Sequence, residues 1–486
     1  MCSARMTHWP LSSPLGTTGR RKRVAIVGGG ITGLVSASLL ARRGHAVTLF
    51  DAQPALGGVA RPIRLGVHTF CPGPQFIWGL GEGGDVARIL GEAGVELPVR
   101  LMPRTFDQLA LGDGDFVDVV EGNPVDLKHH KGVAEFNALL DRLGRAGEVI
   151  SEGARFCGHG REMIAAVLRG PGLNLREKSD VIRWRNTTVT AAAAHFGVDA
   201  AALRRITYAQ SIFAERLDEI SVVLFAAARY HLVRNLHVPQ GGVARLVERL
   251  IDSVHEAAVA VRLSTGIEGV ESREGRHRLY TREGVHECEH ILWCCSPGAV
   301  ARLLPDSVVG FEPGNTVAAL CLDVALSSGL ADALRERNFT WYASEADVEF
   351  ARPPEQIHAL NYTSPTLNGG AVGERQILCA YFPVPRHGAS CEPQSAHALQ
   401  VLQSLLSRSG TFEVKEVLAL GPRAWAGDFG AYDGAVYGRR MTPSSLRRSL
   451  VDRMPRGMSL AHSGAGIPGV LGCFQMAENV TRGVVA

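Results

Sequence analysis

Apolar positions in this chain follow two rhythms, and the points where one gives way to the other outline the architecture. Val24–Val27 and Val47–Phe50 are short, nearly continuous apolar runs, as expected for strands buried on both faces of a parallel sheet. Between them, Ile31–Ala41 is built of small and apolar residues that suit a helix lying close on such a sheet. Alternation takes over at LALGDGDFVDVV (109–120), which predicts a hairpin with Gly-Asp-Gly at its turn. From about 125 to 235 the spacing is helical, with Ala191–His195, Ala200–Glu219 and Val222–Leu232 as predicted helices. A Gly241-Gly242 doublet then opens a helix over Val243–Ala257, followed by strands at 259–263, 267–271, 277–281 and 290–295. Residues 315–420 carry strands at Val317–Val324, Phe339–Ala343, His358–Thr363, Gln376–Phe382 and Glu413–Leu420, interrupted by a helix over Gln394–Ser407. These predict a mixed or antiparallel sheet able to wall a ligand chamber. At 459–480 a short apolar strand runs into a glycine turn and a final helix.

Composition narrows the class. The 486 residues are 46% hydrophobic and 20% charged, enough for two or three domains with sizeable cores. A formal charge of +3 without a concentrated basic face does not indicate nucleic-acid binding. The ten cysteines show no CxxC and no metal-ligand spacing, so they read as reduced core thiols of a cytoplasmic protein, and no metal is expected. Arg20-Arg21 before an uncharged run superficially suggests an export signal or a membrane span. That run, however, contains Gly28, Gly29 and Gly30, each of which has a use at a phosphate-binding turn. Residues 1–22 read as a disordered tail.

The stretch 23–61, RVAIVGGGITGLVSASLLARRGHAVTLFDAQPALGGVAR, joins strand, glycine turn, helix, second strand and acid in the order that binds a dinucleotide. Gly28 makes the tight turn, Gly30 lets backbone approach a pyrophosphate, and Gly33 lets helix pack on strand. The helix start at Ile31 and Thr32 offers unpaired N–H groups and a dipole to the phosphates. Asp51 stands where an acid accepts ribose hydroxyls. Gly57-Gly58 and Arg61 extend the motif beyond what a nicotinamide site needs, resembling the start of the two-dinucleotide-binding-domain flavoproteins; FAD is the cofactor this implies, with the guanidinium near its pyrophosphate. Gly73, Ile267 and Ser296 complete the candidate cofactor contacts from the intervening segments.

The tail SLAHSGAGIPGVLGCFQMAENV (459–480) holds a second glycine pattern, with Pro468 suited to the first turn of a helix. Ile467, Pro468, Gly469 and Val470 are thereby placed under the reactive ring of the cofactor, where a helix N-terminus stabilises negative charge. GAGIPGVLG, the GPQF at 73–76, the Pro239–Gly242 turn and YDGAVYGRRMTPSSLRR at 432–448 together resemble the bacterial-type phytoene desaturase family. The chain departs from that family in passing from Ser459–His462 almost directly into Ser463-Gly464.

The resemblance implies an α/β fold: a discontinuous Rossmann-like FAD-binding domain (23–124, 236–314 and 421–486) with an inserted helical substrate or cap region (125–235) and a mixed or antiparallel substrate sheet (315–420). It also implies an FAD-dependent oxidoreductase that dehydrogenates or isomerises a C–C bond of an apolar, polyene-like substrate, with hydride passing to flavin N5. His462 and His68, at the two motif ends, are the candidate proton-handling residues. Cys71 reads as a core thiol rather than a nucleophile. With no room for a second Rossmann unit, the expected electron acceptor is oxygen, a quinone or another protein. Phe76–Trp78 and Val222–Phe225 are candidate linings of an apolar tunnel whose mouth would touch a membrane surface. Two other readings stay open: an amine oxidase of the same fold, which wants an aromatic cage that a 6% aromatic content does not advertise, and a binding protein without catalysis.

Overall fold

The computed structural model describes residues 20–485 except 103–106, 113–115, 121–122, 125–126, 128–129, 131, 154–171, 208–215, 233–235, 274, 309–310, 335–336, 344–355, 364–367, 371–373, 387–389, 445–453 and 464–468. Three distant parts of the chain build one five-stranded sheet in the order Ala260–Arg262, Ala46–Phe50, Arg23–Val27, His290–Trp293, Met458–Leu460. Every pairing in it is parallel. Helix Ile31–Arg42 is buried along its first ten residues, Ile31 to Leu40, because the helices Gly242–Glu256 and Val470–Val485 pack on the sides that the sheet leaves uncovered. That sandwich explains why its sequence is small and apolar on every side rather than on one stripe. An antiparallel meander, Gly269–Arg273, Arg276–Thr281 and Gly284–Cys288, is inserted before the fourth parallel strand. Its last strand, GVHEC, is mostly exposed and carries too little apolar alternation to be read from sequence.

The second sheet has eight strands in the order Phe412–Leu420, Thr316–Leu326, Arg375–Val384, Ala359–Thr363, Asn338–Tyr342, Asp107–Leu111, Val117–Val120, Asn123–Pro124. All pairings are antiparallel except Asn338–Tyr342 with Asp107–Leu111, so the sheet is mixed. The two strands of the hairpin expected over 109–120 pair, with 113–115 at its expected turn outside the described residues, but its first strand also pairs with Asn338–Tyr342, which places these residues in this sheet and not with the nucleotide-binding strands grouped with them above. Helix Glu392–Leu406 covers the outer face, burying Leu320, Leu322, Leu360, Leu378 and Phe382 against Ala398, Leu402 and Leu405. The inner face looks towards the nucleotide sheet.

Helices Val133–Gly153, Leu175–Trp184, Val189–His195, Ala200–Ile206 and Val222–Leu232 form the third layer. Their starts are well specified: Asn174 and Glu177 form a reciprocal capping box, and Thr188 and Asp199 each accept an amide of the first turn. The helix expected to run from 200 to 219 ends at Ile206, and 208–215 lie outside the described residues. Among the described residues no helix is long and apolar enough to cross a membrane.

Candidate functional site

A cavity of about 840 Å³ lies between the two sheets, at the carboxyl ends of the parallel strands. Its floor is the nucleotide turn. At Gly28 (φ +111) an added Cβ would sit 2.8 Å from the backbone of Cys294 and Cys295, so only glycine brings the first and fourth strands this close. At Gly33 an added Cβ would fall 1.8 Å from the Gly28 carbonyl oxygen, which fixes how closely the helix approaches the strand. Gly30 is different: it lines the cavity, and an added Cβ would meet no atom within 4 Å. The space beside it is therefore left for something that is not protein. Helix Ile31–Arg42 opens onto this space with no side-chain cap and no acid in its first turn, an arrangement that receives an anion.

Asp51 lines the same cavity. Its carboxylate accepts the Gly29 amide at 2.6 Å and the Gln53 amide at 2.8 Å, so it holds the phosphate turn and the loop after its own strand as one unit. Burial pushes its carboxyl pKa up, opposed by those two amides and by the charge of Arg61. The Gly57 amide donates to the Gly29 carbonyl at 2.8 Å, which seats Gly57-Gly58 against the turn. Thr265, Ile267, Ser296 and Arg302 extend the cavity on one side, and Gly73 with Phe76 and Trp78 on the other. Arg61 is not on the cavity wall; its guanidinium lies over the Phe429 ring, 4.8 Å from the centroid, and braces the loop from outside.

The tail reaches this floor as the sequence implies. His462, Ser463, Gly469, Val470 and Cys473 all line the cavity, whereas Ile467 and Pro468 lie outside the described residues. Desolvation lowers the His462 pKa to about 4, so its imidazole is neutral at physiological pH. His68 is elsewhere. It is buried beneath the substrate sheet, with Nε2 3.6 Å from Asp323, itself fully buried and paired with Arg375. Strand alternation sends the His68 side chain to the sheet and away from the cavity, which excludes it as a proton-handling residue there. Cys71 is a buried thiol whose pKa burial pushes up to about 12, and it does not line the cavity. Of the proposed tunnel residues, Phe76 and Trp78 contribute to the wall, whereas Val222–Phe225 start the helix packed on Val133–Gly153.

Two groups of lining residues escaped the sequence reading. Asn361, Thr363 and Tyr381 face the cavity from the inner side of the substrate sheet. Trp425, Phe429, Tyr432 and Tyr437 cover it from a segment that follows the last strand of that sheet. Trp425 Nε1 donates to the Val317 carbonyl at 2.8 Å, and Tyr432 packs on Gly298 beneath the Arg302 guanidinium. A modest overall aromatic content thus conceals a local concentration around one chamber. The alternation in Ala359–Thr363, where Asn361 and Thr363 interleave with Leu360 and Tyr362, was the signal available in the sequence.

The residues present fit a dinucleotide. An open glycine beside an uncapped helix start, an acid at the end of the second strand and a second helix start from the tail line one continuous cavity. Comparisons with known proteins agree. The sequence model of a family described as "NAD(P)-binding Rossmann-like domain" matches residues 26–93. A 4,4'-diapophytoene desaturase (4,4'-diapolycopene-forming) from Methylomonas sp is 43% identical over 56 residues, 12% of this chain and 11% of that protein. The chain thus spans about a tenth of the curated relatives it matches. Among solved structures, a putative protoporphyrinogen oxidase from Exiguobacterium sp. 255-15 superposes over 96% of this chain and 99% of its own with a TM-score of 0.63 and 18% identity. Wild-type putrescine oxidase bound to putrescine gives a TM-score of 0.67 over 96% of this chain and 99% of its own, at 15% identity. At these identities the likeness is one of fold.

Proposed function

We propose that this chain, which has the fold of the FAD-dependent oxidoreductases and carries their Rossmann-like domain, binds one FAD along the cavity floor and oxidises an apolar organic molecule held beneath the substrate sheet. The observation that carries this reading is the convergence of the first glycine turn, the tail and the inner face of the second sheet on one cavity. The helix start at Ile31 and Thr32 and the Gly57-Gly58 turn would hold the pyrophosphate, Asp51 a ribose, and Gly469-Val470 the ring system. When bound, FAD supplies a hydride acceptor at N5.

The chain's own contribution is positional and electrostatic. The aromatic side chains of Trp425, Phe429 and Tyr437, with Phe76 and Trp78, would limit the access of water to the chamber. His462, kept neutral, places an imidazole at the chamber wall without a buried charge. A base of pKa about 4 is a weak proton acceptor at neutral pH, so His462 is suited to orienting a group by hydrogen bonding more than to abstracting a proton.

The first reading of the substrate is a molecule whose C–C bond is dehydrogenated or whose double bond is shifted, in keeping with the short stretch of similarity to a diapophytoene desaturase. A second, favoured by the aromatic wall, is oxidation of a C–N bond, as the name of putrescine oxidase suggests for that protein. Anaerobic mixing of the reconstituted protein with a polyene or with a primary amine separates them, because bleaching of the flavin by only one class identifies the bond. Bleaching by neither leaves no support for either substrate.

A further inference from the structure

The two faces of the substrate sheet differ in a way that a hydrocarbon substrate does not explain. Across the central strands the outer face is apolar, with Phe339, Trp341, Leu360, Tyr362, Leu378 and Ala380 packed under helix Glu392–Leu406. Positions that alternate with these on the inner face carry Thr340, Asn361, Thr363 and Tyr381, all buried. Asn361 and Tyr381 are direct partners across one rung of the antiparallel pair, and both line the cavity. Direct partners have Cβ atoms about 4.5–5.5 Å apart, so one small group can meet both side chains.

Their hydrogen-bonding capacity is incompletely used within the protein. The Tyr381 hydroxyl is buried and has no hydrogen-bond partner of acceptable geometry among the described residues. The titratable groups around it are the thiols of Cys379, Cys321 and Cys71, and a thiol sulfur is a poor acceptor for a phenolic proton. Asn361 Nδ2 donates to Thr340 Oγ1 at 3.1 Å, and its carboxamide oxygen accepts from no described residue. A phenolic donor and an amide acceptor thus stand side by side on the wall of a chamber. Leaving a buried donor without an acceptor is unfavourable, and a hydrocarbon cannot relieve it.

We propose that Tyr381 and Asn361 hold a hydroxyl group of the substrate, which accepts from the phenol and donates to the amide, so that the substrate is an alcohol-bearing apolar molecule and not a plain hydrocarbon. The assignment rests on the functional reading above, which gives the floor of the same chamber to FAD. It makes this pair a specificity determinant, since a site with a buried donor and acceptor discriminates against an analogue lacking the polar group far more than an apolar pocket discriminates between chain lengths.

The test uses the FAD-reconstituted chain with farnesol and its hydrocarbon counterpart farnesene, following flavin absorbance and tryptophan fluorescence. The wild type is expected to bind farnesol at least tenfold more tightly than farnesene. Tyr381→Phe and Asn361→Leu should each bring the two affinities within threefold by weakening the alcohol alone. Tyr381→Phe removes one oxygen and carries the test if the asparagine variant does not fold. Equal affinities in the wild type, no binding of farnesol up to its solubility, or a preference that survives Tyr381→Phe would each overturn the proposal. So would a changed flavin spectrum in either substrate-free variant, because the pair would then be reading the cofactor. Failure of the wild type to take up FAD is a separate result that removes the functional reading itself.

Discussion

Two glycines only three residues apart in sequence define what the nucleotide turn is for. Gly33 is a packing residue: the Cβ of an alanine would overlap the Gly28 carbonyl at 1.8 Å, so Gly33→Ala should destabilise the fold by about 1–3 kcal/mol or more in urea denaturation. Gly30 is a ligand residue. Its extended backbone (φ −72°, ψ −177°) accepts alanine and no protein atom stands in the way, so Gly30→Ala should unfold at the wild-type urea midpoint while losing at least tenfold in FAD affinity. Equal losses of stability in the two variants, with FAD affinity intact in Gly30→Ala, would mean that the space beside Gly30 is not a cofactor site. Sequence spacing assigned these two duties within one motif, and the open space beside Gly30 and the close Gly28 carbonyl at Gly33 agree with that division. His68 shows the opposite case. Its place before Cys71 and Gly73 suggested chemistry, but side-chain direction in the antiparallel pair Ile63–Leu65 and His68–Phe70 is decided by that pair's packing on the second sheet, a long-range contact that no local pattern encodes.

At the scale of elements, the strand Thr316–Leu326 carries the most expensive group in the sheet. Asp323 is fully buried and its charge is met by Arg375 from the neighbouring strand, with His68 at 3.6 Å. Arg375→Met should cost about 3–5 kcal/mol, because it strands a buried carboxylate, while Asp323→Leu combined with Arg375→Met should recover most of that loss. Urea titration of the three proteins measures the difference; a double variant as unstable as the single one would show that the sheet needs the ion pair itself. The strands of this region were readable from their apolar runs, and so was the parallel core of the nucleotide sheet, because burial on both faces leaves an unmistakable composition. The partner of strand Asp107–Leu111 was not readable. Hairpin chemistry fixes a strand's nearest neighbour through the turn, whereas its parallel pairing with Asn338–Tyr342 joins residues more than two hundred positions apart and leaves no local trace.

For the whole molecule, burial of histidines sets the response to acid. Desolvation lowers the pKa of His290 and of His462 to about 4, and it also lowers those of His45, His68 and His277. Between pH 6.5 and 4 the unfolded chain therefore binds protons at these histidines that the folded chain does not, so their contribution to stability is full above pH 6.5 and is lost as pH drops through this window. Thermal unfolding should show a Tm lower at pH 5 than at pH 7.5. His290→Asn, which removes a histidine bonded to Ser459 near the end of two parallel strands, should flatten that slope. A Tm independent of pH across the window would contradict the burial of these groups in the neutral form.

The molecular architecture makes a single claim that outweighs the rest: the start of the chain, its tail and the inner face of the substrate sheet enclose one flavin dinucleotide. The direct measurement is titration of purified, folded chain with FAD, followed by removal of free cofactor and a visible spectrum. The account predicts a yellow protein carrying one FAD per chain, and no such retention of FMN, which lacks the adenosine that Asp51 and the first glycine turn would hold. A correctly folded chain that stays colourless in excess FAD would contradict it.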